Sequence, residues 1–288
     1  MKRGVEIFRH ALARAHASRG IALMGVCNVT PDSFSDGGHF LAPNAARARV
    51  DELVAEGADL IDIGGESTRP GAAPVPAREQ LARVLDVVGY AASTGACVSV
   101  DTTSADVAAA CLAQGASVVN DVSCLRDDEV ARAVARAGAA LILMHSRGTP
   151  LEMARFGQYP TDGYADVVKE TCAEWEGAAR RARALGVPND AMVMDPGLGF
   201  AKNARQSTEL VARLREIVAA VGVPVAVGAS RKSFLTAVDP GAGPGQRLGA
   251  SIAVALHAAR AGAAILRVHD VRATRQAVDF ARLLEETG

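Results

Sequence analysis

Aromatic residues are scarce, only 4% of the chain with a single Trp, so a core must be built from Ala, Val, Leu and Ile. Small, branched side chains of that kind suit a buried parallel sheet under helices. Net charge is nearly absent too, with 31 Lys+Arg against 32 Asp+Glu for a formal −1. That balance argues against a broad electrostatic grip on nucleic acid, and any basic site must be local. Cysteine is sparse: Cys27, Cys97, Cys111, Cys124 and Cys172 are odd in number and form no C-x-x-C pair. A disulfide framework or zinc ribbon is not expected, and a reducing compartment, the cytoplasm, is the simple reading. No apolar run approaches the ~18 residues that cross a bilayer, so no membrane partner is expected. The first twenty residues carry Lys2, Arg3, Arg9, Arg14 and Arg19 without a continuous apolar segment, unlike a secretory signal. Val5, Phe8 and Leu12 have helical spacing. Residues 1–20 therefore read as an amphipathic helical extension packed on the domain, a transit peptide being the alternative.

What is present is regular. The 288 residues are 49% hydrophobic and 22% charged, a globular composition. Short β-rich runs recur at 21–26, 60–63, 97–100, 117–119, 140–144, 192–194, 224–227 and 264–268. Between them lie segments of helical apolar spacing at 45–56, 78–92, 105–114, 128–137, 166–185, 207–220, 247–261 and 273–285. Alternating strands and helices imply a parallel sheet covered by helices. Eight units over this length favour an α/β fold of the closed (β/α)8 TIM-barrel type in one domain, residues 21–288, over an open doubly wound sheet. Gly57, Gly95, Gly115, Gly138, Gly186, Gly222 and Gly262 each precede the next strand, where a left-handed residue would stop the helix.

The C-terminal strand ends of a barrel share one mouth. Read there in turn, the chain offers Asn28, Asp62, Asp101, Asn120-Asp121, His145 with Arg147, Asp195, Gly228 followed by Ser230-Arg231-Lys232, and Arg267 with His269-Asp270. A lone Asp after a strand is ordinarily a helix N-cap or turn former. Capping does not account for Arg231, Lys232, Arg267 and His269. Arg267 sits inside an apolar strand, and alternation sends it to the face of His269. A buried Arg needs an anionic partner or ligand. Cations from strands seven and eight match the usual phosphate corner of a barrel. Asp101, Asp195 and Asn120 suit a heterocycle offering N–H donors and a carbonyl. No dinucleotide loop, Walker lysine, G-x-S-x-G elbow or H-E-x-x-H pair competes. The run Arg180–Arg183 reads as a solvated helix face.

The segments Asn28-Val29-Thr30-Pro31-Asp32-Ser33-Phe34-Ser35-Asp36-Gly37-Gly38 and Ile61-Asp62-Ile63-Gly64-Gly65-Glu66-Ser67-Thr68-Arg69-Pro70-Gly71 resemble the first two signatures of the dihydropteroate synthase family. Further matches are Val98–Thr102, Asn120–Ser123, Met144-His145, Asp195-Pro196-Gly197 with Gly199-Phe200, Ser230–Ser233 and Arg267–Val271. The resemblance spans about residues 21–275 in barrel order. It implies condensation of 6-hydroxymethyl-7,8-dihydropterin diphosphate with p-aminobenzoate, giving 7,8-dihydropteroate and pyrophosphate for folate synthesis. It implies that Asp101, Asn120, Asp195 and Lys232 hold the pterin. Asn28, Arg69, Arg267 and His269 would hold the diphosphate, with Mg²⁺ as cofactor and Asn28 as its protein ligand. Thr68, Arg69, Pro70, Phe200 and Ser233 would line the p-aminobenzoate site, and Asp101, Lys232, Arg267 and His269 would be catalytic. A homodimer through the outer helices is implied as well.

The chain departs from the family pattern at Cys124-Leu125-Arg126, where a Gly pair is usual, at Ser146, where a bulkier residue is common, and at Ala201, where Gly is frequent. An inactive pterin-binding paralogue and the pterin-binding barrel of a methyltransferase are the alternatives. The intact Asn28, Asp101, Lys232 and Arg267–His269 set speaks against the first. The second needs no diphosphate corner.

Overall fold

A computed structural model describes residues 4–30, 42–67, 73–148 and 159–287. Eight strands alternate with helices: β1 Ala22–Asn28, β2 Leu60–Gly64, β3 Cys97–Asp101, β4 Val118–Asp121, β5 Ala140–Met144, β6 Met192–Asp195, β7 Ala226–Val227 and β8 Ile265–Val268. They pair in parallel in the order β6-β5-β4-β3-β2-β1-β8-β7. A parallel bridge between Met194 and Val225, with Met194 N–H donating to Pro224 O at 2.9 Å, joins the two ends. The sheet is thus a (β/α)8 barrel, as the strand–helix repeat predicts.

The helices are α1 Gly4–Arg19, α2 Ala42–Glu56, α3 Ala77–Ser93, α4 Ala105–Ala113, α5 Asp128–Ala137, α6 Val167–Ala184, α7 Ala204–Ala212, α8 Leu214–Val221, α9 Leu248–Arg260 and α10 Val271–Thr287. All seven glycines expected to stop helices take positive φ. The single helix expected over 207–220 is instead α7 and α8, broken at Arg213 (φ −100°, ψ 21°). Its buried positions Ser207, Leu210, Val211, Leu214 and Ile217 keep helical spacing across the break, so periodicity could not reveal it. Strand seven is also shorter than the expected 224–227, because Val225 serves the bridge instead.

Helix α1 closes the barrel's N-terminal end. Its buried Phe8, Ala11 and Ala15 pack against Met24, Leu60, Cys97, Val118 and Ile265, which fill the barrel from the inside. Residues two positions on from these inner fillers face inward at the next level up, because side chains alternate along a strand. On β2, β4 and β8 that position holds Asp62, Asn120 and Arg267. On β3 it holds Ser99, followed two residues later by Asp101. Register sets Asp101 beside Asn120 and Gly64, and Asp62 opposite Ser99, one level deeper. The bottom of the barrel is therefore apolar and the top is polar, from one alternating pattern.

Candidate functional site

Arg267 is the centre of the upper barrel. Its Nε donates to Asp62 Oδ2 at 2.6 Å and its Nη2 to Asp101 Oδ2 at 2.8 Å. Asp62 is wholly buried and Asp101 nearly so. Asp62 Oδ2 also accepts from Asn120 Nδ2 at 3.1 Å, which orients that amide. Asp62 Oδ1 and Asp101 Oδ1 are buried without a hydrogen-bond partner. Unmatched buried carboxylate oxygens are costly, and at a barrel mouth they point to a ligand that donates N–H or O–H groups. Burial raises Asp101 to about 7, against the pull of the Arg267 guanidinium.

The strand-end pattern places Asp62 at the mouth, but the family resemblance gives it no ligand role. The alternation argument that turned Arg267 inward applies equally to Asp62, two residues after the inner Leu60.

Asp195 closes the opposite wall. Gly197 N–H donates to its Oδ1 at 2.7 Å, which fixes the carboxylate plane, and burial raises its pKa. The inward Gly228 keeps space between this carboxylate and Arg267: a Cβ there would stand 3.8 Å from Asp195 Oδ2 and 3.7 Å from Arg267 Cβ. Gly64 keeps a similar opening, where a Cβ would lie 3.4 Å from Asp101 Cβ and 3.7 Å from Asn28 Oδ1. Lys232 Nζ donates to Leu198 O at 2.8 Å and sits 4.7 Å from the Phe200 ring centroid. Burial lowers Lys232 to about 8, the Asp195 charge opposing. Phe200 packs with Val122 and Met144 in a small cluster apart from the main core.

Of the expected site residues, Asp101, Asn120, Asp195, Lys232 and Arg267 converge on one mouth. Asn28 ends β1 opposite Gly64. His269 follows β8, and its Nδ1 lies 3.1 Å from Ser230 Oγ. Ser233 opens the short 3-10 turn after Lys232. Thr68, Arg69 and Pro70 lie outside the described residues.

Arg231 does not join the cationic cluster. Asp270 binds its Nε at 3.0 Å and its Nη2 at 2.5 Å, and this partner neutralises it. Arg181 is not simply solvated either, since its Nη2 donates to Leu125 O at 2.9 Å.

The three departures have local explanations. Cys124 (φ +62°), Leu125 (φ +53°) and Ala201 (φ +48°) keep left-handed backbone where the family pattern favours glycine. Asp121 Oδ2 accepts from Leu125 N–H at 2.7 Å and Ser123 Oγ from Arg126 N–H at 3.0 Å, which hold that turn despite the strain. Ser146 Oγ donates to Val122 O at 3.1 Å.

Among the described residues, no cluster of three His, Cys, Asp or Glu side chains could hold a metal ion, and no helix is long and apolar enough to cross a membrane. All five cysteines are free thiols.

Comparison with known proteins agrees with this geometry. The family model described as pterin binding enzyme matches residues 24–269. A dihydropteroate synthase of Mycobacterium leprae is 45% identical over 264 residues, covering 90% of this chain and 91% of that protein. A solved dihydropteroate synthase of Xanthomonas albilineans with 4-aminobenzoic acid superposes at TM-score 0.85 and 39% identity, over 92% of this chain and 93% of that one. The same enzyme in complex with 7,8-dihydropteroate superposes at TM-score 0.81 and 38% identity, over 92% and 94%.

Proposed function

This chain belongs to the family of pterin-binding enzymes, and from that membership we propose that it works as a dihydropteroate synthase, with the division of labour below. It is a transferase that joins 6-hydroxymethyl-7,8-dihydropterin diphosphate to p-aminobenzoate and yields 7,8-dihydropteroate and pyrophosphate. The observation that carries the reading is the polar barrel mouth, where Asp101, Asn120 and Asp195 face Lys232 across Arg267.

Asp195 Oδ2 and Asn120 accept and donate on the guanidine-like edge of the pterin, a charge-assisted recognition. Lys232 donates to the ring. As the C–O bond to the pterin methylene breaks, the diphosphate leaves with the electron pair. The dihydropterin takes up positive charge, which the Asp101 carboxylate stabilises. The arylamine nitrogen then forms the C–N bond and releases its proton, and no strong base is needed.

Arg267 spends one N–H on Asp62 and one on Asp101, so three of its five donors remain for phosphate oxygens. Charge met only as the leaving group departs lowers the barrier rather than the ground state. His269 completes the diphosphate contacts, a role the family resemblance gives to Arg69 as well. Phe200 and Ser233 flank the arylamine, and the family resemblance gives Thr68 and Pro70 to the same site.

The Asn28 side-chain oxygen, which borders the Gly64 opening, suits a hard cation and would be the protein ligand of Mg²⁺. Bound there, it would offset charge on the departing diphosphate.

Exposed Phe280, Leu283 and Leu284 on α10 support a homodimer through the outer helices. The free thiols support a cytoplasmic setting. The test is pyrophosphate release with each substrate omitted in turn, with and without Mg²⁺. Release that needs both substrates is expected. No product from folded protein in the complete mixture would overturn the reading and favour an inactive paralogue.

A further inference from the structure

Lys202 is a buried lysine that the reaction does not use. It lies on the loop after β6 and is 1% exposed. Burial lowers Lys202 to about 7, the Asp195 charge opposing, and in its charged form it carries three N–H donors that each meet an acceptor: His145 Nδ1 at 2.8 Å, Phe200 O at 3.1 Å and Gly197 O at 3.2 Å. Burial, with the Lys202 charge, pulls His145 down to about 4, so the ring is neutral. Nδ1 is then the acceptor, and Nε2–H donates to Glu174 Oε2 at 3.0 Å. Arg147 holds Glu174 in turn, donating from Nε at 3.0 Å. A polar chain thus runs from α6 on the outside to the loop.

The loop needs such support. Ala201 (φ +48°) takes a conformation that L-residues avoid, and Gly197 (φ +67°) admits no side chain, since a Cβ would stand 1.9 Å from His145 O. The carbonyls of Gly197 and Phe200, both gripped by Lys202, frame the tight turn closed by Phe200 N–H donating to Gly197 O at 3.0 Å. That turn presents two groups to Lys232: the Leu198 carbonyl and the Phe200 ring. A buried ammonium is a poor choice for stability alone, because an apolar side chain of similar volume is often as good or better.

We propose that Lys202 is a positioning residue for the p-aminobenzoate half of the reaction. Its ammonium fixes the 197–200 turn so that the Phe200 ring meets the arylamine in one arrangement, anchored from α6 through His145 and Glu174. The inference rests on the dihydropteroate synthase reading above.

Lys202→Met keeps length and volume and removes the donors. Condensation is followed with each substrate varied, alongside amide hydrogen exchange over 197–203. A misplaced turn is expected to raise the KM for p-aminobenzoate about tenfold, leave the KM for the pterin diphosphate within about twofold, and speed exchange at 198–201. Equal rises in both KM values, or a lower Tm with the p-aminobenzoate KM unchanged, overturn the proposal. If Lys202→Met does not accumulate as folded protein, Glu174→Gln decides at a partly exposed position. A rise of about two- to threefold in the p-aminobenzoate KM alone supports the proposal, and an unchanged value overturns it. Should the unsubstituted chain show no condensation, the reaction reading fails, and exchange alone judges Lys202: unaltered exchange in Lys202→Met, or in Glu174→Gln where that variant stands in, overturns the positioning role.

Discussion

Arg267→Met tests the charge balance of the barrel directly. The guanidinium bridges Asp62 at 2.6 Å and Asp101 at 2.8 Å, in a site where only 19% of the Arg side chain is exposed. Removing it leaves two carboxylates side by side, each with one oxygen already unpartnered. Breaking a buried pair from one side costs about 3–5 kcal/mol, because the remaining charge stays desolvated. For a chain of this size that corresponds to a fall of roughly 6–10 °C in Tm.

The loss must also depend on pH, with a definite sign. Asp101 already holds its proton up to about 7 in the folded protein, against about 3.9 when unfolded, so this group's contribution to stability falls as pH rises through that interval. Without Arg267 its folded pKa rises further. The difference between variant and parent is then largest above pH 7 and shrinks at pH 5, where Asp101 is protonated in both. Urea unfolding at pH 5 and pH 8.5 measures it. A loss under about 1 kcal/mol at pH 8.5, or a loss that does not shrink on acidification, would refute the reasoning.

Two further outcomes follow from the same geometry. The kcat/KM for the pterin diphosphate should be bell-shaped: Asp101 loses its charge as pH falls through about 7, and Lys232 loses its charge as pH rises through about 8. Lys232→Arg should move the alkaline limb upward, and a limb that stays in place would assign it elsewhere. Ala201→Gly relieves a left-handed residue worth about 1–2 kcal/mol of strain and loses about 0.4–1 kcal/mol to unfolded-chain entropy, so a small net gain in Tm is expected. A lower Tm would show that the methyl group packs usefully.

Much of the site is legible from strand alternation. Period two puts Arg267 and His269 on one face, and the same rule turns Asp62 inward two residues after Leu60, but it gives no hint that Asp62 pairs with Arg267. Lys202 carries no such signal. It sits on a loop, where no periodicity tells a buried lysine from a solvated one, and its acceptors are two backbone carbonyls and a histidine 57 residues away in sequence. The break at Arg213 was hidden for the opposite reason: the buried face keeps its spacing through it.

The sequence alone determined the eight strand–helix units, the glycines that end the helices and the end of the barrel where polar groups gather. These are short-range properties, set by alternation, helical period and the backbone freedom of single residues. Only the tertiary structure decided who pairs with whom. Arg267 meets partners 205 and 166 residues away, and Arg231, one residue before Lys232, is drawn off to Asp270 instead. Which charge faces which depends on the register of all eight strands once the sheet has closed, and no local pattern carries that information.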